Sequence, residues 1–187
     1  GTFEDQQDTF TDLGILMVLI IILVFIVMAA QFESLVDPFV IMFSIPFAFT
    51  GIVLGLAVTQ TPLGVMALIG VIMLMGIVVK NGIVLIDYTI LSRERGMGII
   101  TSVVTAGKSR LRPVLMTTLT TVLGMIPMAV GTGEGSEMWR SMGMTVAWGL
   151  SVSTLITLII VPTVYAVFAA NGVKRRRRKI RKALRNN

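Results

Sequence analysis

The sequence predicts an all-α protein, a polytopic membrane helix bundle with five transmembrane helices and one short cytoplasmic interfacial helix. Of its 187 residues 55% are hydrophobic, and the mean hydropathy of +0.89 is far too high for a soluble domain of this length. Several apolar runs reach or approach the roughly 20 residues that a bilayer-spanning helix needs. Since backbone polar groups in lipid must be hydrogen-bonded within the protein, we expect each run to be helical.

The five spans are expected, in chain order, at residues 13–30, 38–58, 64–88, 113–131 and 141–169. The chain then divides into three parts, which are a polar N-terminal stretch, a transmembrane bundle and a basic tail, at residues 1–12, 13–169 and 170–187. A cytoplasmic loop at residues 90–112 separates the third span from the fourth.

Within that loop, apolar residues recur at helical spacing at Ile99, Ile100, Val103 and Val104. This pattern favours a short amphipathic helix on the membrane surface. The alternative is a plain connecting helix that packs on the bundle. In the second span, Gly51 and Gly55 form a GxxxG pair, which typically lets two helices approach closely.

The positive charges predict the orientation of the chain. The net charge is +6, and nine of the sixteen Lys and Arg residues lie in the tail. Five more lie in the loop at residues 90–112, whereas only Arg140 lies on the opposite side. Since cytoplasmic segments are enriched in Lys and Arg, the N-terminus is expected outside and the C-terminus in the cytoplasm. With no signal peptide at Gly1, we expect the chain to be the back part of a longer membrane protein.

One charged residue, Lys80, lies within the third span, in the stretch GIVVKNGIVLIDY. It is about 20 Å along the helix from Arg93, so its side chain reaches neither surface easily. A lysine at this depth costs about 2.5–3.5 kcal/mol on insertion scales, and such residues typically mark a proton, ion or substrate path. The alternative is a structural ion pair that fixes helix packing.

The partner of Lys80 is not evident from the sequence. Asp87, seven residues on, shares its helix face but lies roughly 10 Å away along the axis, and it is also a candidate interfacial residue. No other acidic residue falls inside a span. Lys80 is therefore expected to meet either water and backbone groups or a carboxylate on a part of the protein outside this sequence. Its neighbour Asn81 and Asp87 are counted with it as candidate proton-relay residues.

Threonines cluster in the fourth span, in the run TTLTT that begins at Thr117. They either line a hydrated path near Lys80 or simply bond to carbonyls of their own helix. The chain has no His and no Cys, and no catalytic triad, Walker-type loop or metal-ligand cluster. We therefore predict no enzyme activity, no metal site, no cofactor and no nucleic-acid partner, and expect any work to draw on an ion gradient or on a partner.

Four long motifs carry a family resemblance: AAQFESLVDPFVIMFSIPFAFTG, GVIMLMGIVVKNGIVLIDY, KSRLRPVLMTTLTTVLGMIPMAVGTGEGSE and LSVSTLITLIIVPTVYAVF. In this order they resemble the C-terminal membrane half of the resistance–nodulation–division (RND) efflux transporters. The most similar branch is that of the acriflavine-resistance-like hydrophobe/amphiphile exporters of Gram-negative bacteria. The resemblance covers residues 2–168.

The resemblance implies a function and an assembly. The chain would supply the last five of twelve spans of a multidrug efflux pump, a drug/proton antiporter in the bacterial inner membrane with its N-terminus periplasmic. The complete protein would be a homotrimer working with a periplasmic adaptor and an outer-membrane channel. Lys80 would face an intramembrane Asp pair on the N-terminal half, which this sequence lacks, and Arg110 and Thr117 would belong to the same proton relay, with an acid near Asp87. The heavy-metal branch generally lacks this lysine, which argues against metal export.

Two other functions stay open. One is a membrane scaffold or assembly subunit that transports nothing and uses Lys80 to bind a partner helix. The other is a protein-export or lipid-export subunit of the same superfamily. The scaffold predicts no dependence on protons and a fold that is stable alone, whereas transport predicts failure without the upstream half.

Overall fold

The computed structural model describes residues 1–186, and α-helix is the only regular secondary structure within them. The six helices are α1 (Thr2–Phe32), α2 (Val36–Met42), α3 (Ser44–Thr59), α4 (Val65–Glu94), α5 (Ile99–Val130) and α6 (Ser136–Arg185). With α2 and α3 counted as one span, five segments of the described chain are long and apolar enough to cross a membrane. The prediction of an all-α membrane bundle is therefore confirmed.

The second span differs from the prediction because it is broken. The amide of Phe43 is shared between the carbonyls of Phe39 and Val40, at 3.3 and 3.2 Å, so the first piece ends in a tightened turn. Pro46, in the first turn of α3, has no N–H to donate and cannot extend a continuous ladder from α2. The hydroxyl of Ser44 donates to the Ile41 carbonyl at 2.6 Å and so supplies one of the missing bonds.

The connection between the third and fourth spans is much shorter than predicted. The helix α4 continues to Glu94, so that residues 95–98 alone form the turn, and Gly96 takes the left-handed φ of 92° that this turn requires. The expected short interfacial helix is helical but not separate, because α5 runs without a break from Ile99 past Pro113. Ile100 and Val104 remain exposed on its first turns.

The helices also exceed the predicted span boundaries at both ends of the chain. The first begins at Thr2, within the stretch expected to precede the bundle, and α6 continues to Arg185 through most of the basic tail. Helices continue here because each additional residue adds a backbone hydrogen bond without a new nucleation cost.

The core lies around α6, which packs against α3, α4 and α5. Small residues make this possible. A Cβ at Gly51 would lie 2.8 Å from the Cβ of Val152, and one at Gly55 would overlap the Trp148 side chain, so α3 and α6 approach backbone to backbone. By contrast, α1 buries only Met28 and lies at the edge of the bundle.

Candidate functional site

Lys80 lies on an exposed stripe of α4 that no helix of the described chain covers. We call this stripe the open face; it consists of Met73, Gly76, Lys80, Asp87 and Leu91. Their spacing of three, four and seven residues places them in one line along the helix. The opposite side of α4, the inner face, is buried in the bundle and consists of Leu74, Val78, Asn81, Gly82 and Leu85.

The open face borders an apolar cavity of about 440 Å³ between α1 and α4. Lys80 is the one charged side chain among the residues that line it, whereas Ile21, Val24 and Val79 are typical of the rest. Within residues 1–186 no carboxylate lies within ion-pair distance of the Lys80 ammonium. The fold therefore presents this lysine at an apolar surface without a counter-charge of its own.

Asn81, although adjacent to Lys80, points the other way. Its side chain is 9% exposed and belongs to the inner face. Consecutive helical residues are about 100° apart around the axis, so a side chain that follows an outward-facing lysine turns toward the bundle. The two neighbours that the sequence grouped together therefore serve different surfaces.

Asp87 shares the open face with Lys80, as its spacing predicted, and is exposed. Its neighbour Tyr88 joins α4 to α5: the Arg110 guanidinium lies 5.1 Å from the centre of the Tyr88 ring, and the Ser109 hydroxyl donates to the Tyr88 oxygen at 3.3 Å. The Nε of Arg110 is buried and has no hydrogen-bond partner among residues 1–186. Arg110 is thus fixed at the same end of α4 as Asp87.

The contact between Tyr88 and Arg110 also fixes the position of Thr117 along the bundle axis relative to α4. The two helices are antiparallel neighbours joined by a four-residue turn. Seven residues back from Tyr88 is Asn81, and seven residues on from Arg110 is Thr117. Because the rise per residue is equal in both helices, Thr117 and Lys80 lie at nearly the same depth. Arg110 and Asp87 form a second level about 10 Å nearer the end of the bundle.

The threonine cluster of α5 divides into two groups. Thr117, Thr120 and Thr121 donate to carbonyls of their own helix, at 3.1, 2.7 and 2.9 Å. Thr118 instead points inward, where its hydroxyl lies 3.0 Å from that of Thr154 on α6 and links the two helices. The back-bonded threonines are what lipid-embedded helices commonly show, and Thr118 is a packing contact.

A row of small polar residues on α6 is buried in the bundle, which the sequence did not predict. Thr145, Ser153 and Thr157 recur at multiples of four residues and are all at most 3% exposed. The hydroxyls of Ser153 and Thr157 have no hydrogen-bond partner within the described chain. Gly149, in the same row, lies against Leu74 of α4, so the row faces the inner face of that helix. In the sequence, the four-residue spacing of these positions indicates that they share one side of the helix.

A second polar cluster, which was not predicted from the sequence, lies where α2, α4 and α6 meet. The Arg93 guanidinium donates to the Tyr165 hydroxyl at 3.1 Å. Both residues line a cavity of about 440 Å³ together with Asp37 and Glu94. Because Arg93 and Tyr165 are 72 residues apart, no local pattern in the sequence links them.

The chain resembles known families along almost its whole length. A family model described as the AcrB/AcrD/AcrF family matches residues 1–169. The swarming motility protein SwrC of Bacillus subtilis is 42% identical over 170 residues, which are 90% of this chain and 16% of SwrC. The multidrug resistance protein MdtC of Proteus mirabilis is 35% identical over 177 residues, 94% of this chain and 17% of MdtC.

Proteins whose names refer to metal resistance or metal efflux are about as similar to this chain as SwrC and MdtC are. The cobalt-zinc-cadmium resistance protein CzcA of Cupriavidus metallidurans is 38% identical over 165 residues, which are 88% of this chain and 16% of CzcA. The crystal structure of a heavy metal efflux pump superimposes with a TM-score of 0.81 at 30% identity, over 91% of this chain and 17% of the pump. The chain thus spans about a sixth of the length of the relatives it matches.

Proposed function

Because the chain belongs to the AcrB/AcrD/AcrF family of RND transporters, we propose that it forms the membrane part of a proton-driven multidrug exporter. In this proposal it acts as a drug/proton antiporter and not as an enzyme. It needs no cofactor, since the proton gradient supplies the energy. The N-terminal half and the periplasmic domains would lie on the part of the protein outside this sequence.

The observation that carries the proposal is the position of Lys80. A mid-span lysine at an apolar surface costs several kcal/mol unless a partner compensates it, and the described residues offer none within reach. Its side chain is exposed on the open face, where a helix from the rest of the transporter can pack. An intramembrane pair of Asp residues on that helix would supply the counter-charge.

The proposed coupling follows from elementary electrostatics. Deprotonated carboxylates attract the Lys80 ammonium and hold the two helices together, whereas protonated carboxylates release it. Proton binding therefore changes which packing of the two halves has the lower free energy, and that change can be passed to a distant substrate site. Substrates would bind in the periplasmic domains.

The other predicted residues take supporting roles in this scheme. Thr117 lies at about the depth of Lys80 and is proposed as a hydroxyl of α5 through which a proton passes. Arg110 and Asp87 form the second level, toward the end of the bundle that carries most of the Lys and Arg residues. Asn81 is proposed as a further member of the relay, although its side chain belongs to the inner face.

The assembly proposed for the complete protein is a homotrimer in the bacterial inner membrane. It would work with a periplasmic adaptor and an outer-membrane channel. The N-terminus of this chain would be periplasmic and its C-terminus cytoplasmic, because fourteen of the sixteen Lys and Arg residues lie at one end of the bundle or in the tail that extends from it.

The test compares two substitutions on the open face in the complete transporter. Lys80→Ala should abolish drug resistance in a strain that lacks its own exporters, while the amount of protein in the membrane is unchanged. Met73→Ala is the matched control, because Met73 is exposed on the same stripe seven residues away and carries no charge. Full export by the Lys80 variant would contradict a proton relay through this residue.

Metal export is the second candidate, and the similarity to CzcA and to the heavy metal efflux pump favours it. The two candidates differ in what the complete transporter protects against. Growth in drugs and growth in cobalt, zinc or cadmium salts should be measured in the same strain, with and without the transporter. Protection against the metals alone would favour this second function.

A further inference from the structure

We propose that the end of α6 is a binding surface for anionic phospholipids and lies along the membrane leaflet at which the span ends. We call residues 173–185 the basic extension. This inference depends on α6 spanning the membrane and not on what the transporter exports.

Charge is the first observation. Nine of the twelve residues from 174 to 185 are Lys or Arg, and no Asp or Glu follows Glu137 in the sequence. All twelve are exposed and pack against nothing in the described chain. Each Lys or Arg near an anionic leaflet contributes about 1 kcal/mol to membrane binding. Nine such residues supply far more attraction than is needed to orient a span.

An apolar stripe is the second observation. Val173, Ile180 and Leu184 are separated by seven and four residues and so fall on one side of the helix. They are 37%, 52% and 76% exposed. Arg177 shares this side, and its long stem can extend toward headgroup phosphates. A basic helix with a narrow apolar side is typical of helices that lie in the membrane interface.

The third observation is the tether to the membrane. Lys174 follows the predicted end of the fifth span by five residues, or about 7.5 Å of helix. This is within the Debye length of roughly 8 Å at physiological salt, so the first charges feel the leaflet. A straight helix would carry Arg185 about 24 Å from the span end, where screening removes most of the attraction.

The basic extension can lie down if α6 bends where it leaves the membrane. Asn171 and Gly172 stand at that point, and a glycine costs a helix interior about 1 kcal/mol relative to alanine. A Cβ at Gly172 would meet nothing within 4 Å, so packing does not explain a glycine there. Bending at these two residues would bring the distal charges and the apolar stripe onto the leaflet together.

Lipid fits these observations better than nucleic acid does. A polyanion in solution would satisfy the charges, but it offers no apolar surface for Ile180 and Leu184. The anionic leaflet offers both, and the span holds the basic extension beside it.

The experiment uses the chain in vesicles with an environment-sensitive fluorophore on a single cysteine. The sequence has no Cys, so Ala183→Cys gives one labelling site, on an exposed residue of the extension. In vesicles of phosphatidylcholine with phosphatidylglycerol, the emission should shift to the blue as the label enters the interface. The shift should be absent in phosphatidylcholine alone and lost at about 1 M salt, where the Debye length is roughly 3 Å.

Two variants separate the contributions of charge and bending. Replacement of the four arginines at 175–178 by glutamine should abolish the blue shift, whereas Gly172→Ala, which stiffens the bend, should reduce it. Equal emission in the neutral and the anionic vesicles would overturn the proposal and needs no variant. A shift produced by added polyuridylate RNA, with none produced by phosphatidylglycerol, would overturn it in favour of a nucleic-acid partner.

Discussion

The two faces of α4 carry different kinds of polar group. The buried polar residues of α4 are all neutral, and they are Asn81, Thr89 and Ser92. The α6 residue in contact with Leu74 on this side is Gly149. On the open face the polar residues are Lys80 and Asp87, both charged. One helix thus separates a neutral polar group from charges within a rotation of about 100–120°, given the angular spacing of helical residues.

The difference shows which contacts this chain completes by itself. The inner face packs within the described chain, where Leu74 lies against Gly149 of α6 and Gly82 against Ile41 of α2, and its buried polar residues are neutral. The charges on the open face lack a counter-charge in this chain, and we expect their energetic cost to be compensated when a helix from the rest of the protein packs against them. Four pairs of substitutions can break or sharpen this comparison.

The largest effect is expected from moving the charge by one residue. Asn81→Lys places an unpaired ammonium on the inner face, and we expect the free energy of unfolding to fall by about 3–5 kcal/mol. Lys80→Asn removes an uncompensated charge from the open face and should not lower the free energy of unfolding of the isolated chain. Thermal unfolding in detergent measures both, and equal losses would mean that the faces do not differ.

Two glycines of α4 test the packing of the same faces. A Cβ at Gly82 would lie 2.9 Å from Ile41 Cγ2, whereas one at Gly76 would meet nothing within 4 Å. Gly82→Val should therefore lower the free energy of unfolding by about 1–3 kcal/mol through overpacking, and Gly76→Val should leave it nearly unchanged. A larger loss at Gly76 in the isolated chain would show that the open face is covered after all.

Adjacent threonines of α5 should separate stability from transport. Thr118→Val leaves the buried hydroxyl of Thr154 without its partner and should cost about 1 kcal/mol in thermal unfolding, with little effect on export. Thr117→Val should show the reverse, with unchanged stability and reduced drug resistance in the complete transporter. Equal effects of the two variants on stability and on drug resistance would contradict the distinction between Thr117 and Thr118.

The smallest effect concerns the contact that sets the register of α4 and α5. Arg110→Gln removes the cation from the Tyr88 ring and should lower the free energy of unfolding by about 0.5–1 kcal/mol. Tyr88→Phe keeps the ring and should lose less. Chemical unfolding of the two variants side by side measures the difference, and a greater loss for Tyr88→Phe would assign the contact to the hydroxyl.

Hydropathy predicted the existence and order of the spans because their apolar runs are long and nearly uninterrupted. It missed the break at Phe43, since the loss of one proline N–H hardly changes a window average. It did not show that helix begins at Ile99, before the predicted fourth span, because Lys108, Arg110 and Arg112 lower the hydropathy of a segment that is nonetheless continuous helix. Composition reports solvent preference, whereas helix ends depend on individual hydrogen bonds.

For the candidate site, the sequence identified Lys80 and its shared face with Asp87 from spacing alone. It did not separate Asn81 from Lys80, because sequence adjacency conceals a rotation about the helix axis. Neither the pair formed by Arg93 and Tyr165 nor the inward turn of Thr118 could be predicted, since each depends on which helices are neighbours. The roles assigned to Lys80, Asn81, Asp87, Arg110 and Thr117 remain predictions.

The central position of α6 also has a consequence for how the protein is made. The helix around which α3, α4 and α5 pack is synthesised after all three of them, and its 50 residues take about 3–10 s to synthesise. During that interval the earlier spans lie in the bilayer without the surface that orders them. Membrane proteases and chaperones would meet them in that state, and a nonsense codon after Val130 would leave every earlier span as a degradation substrate.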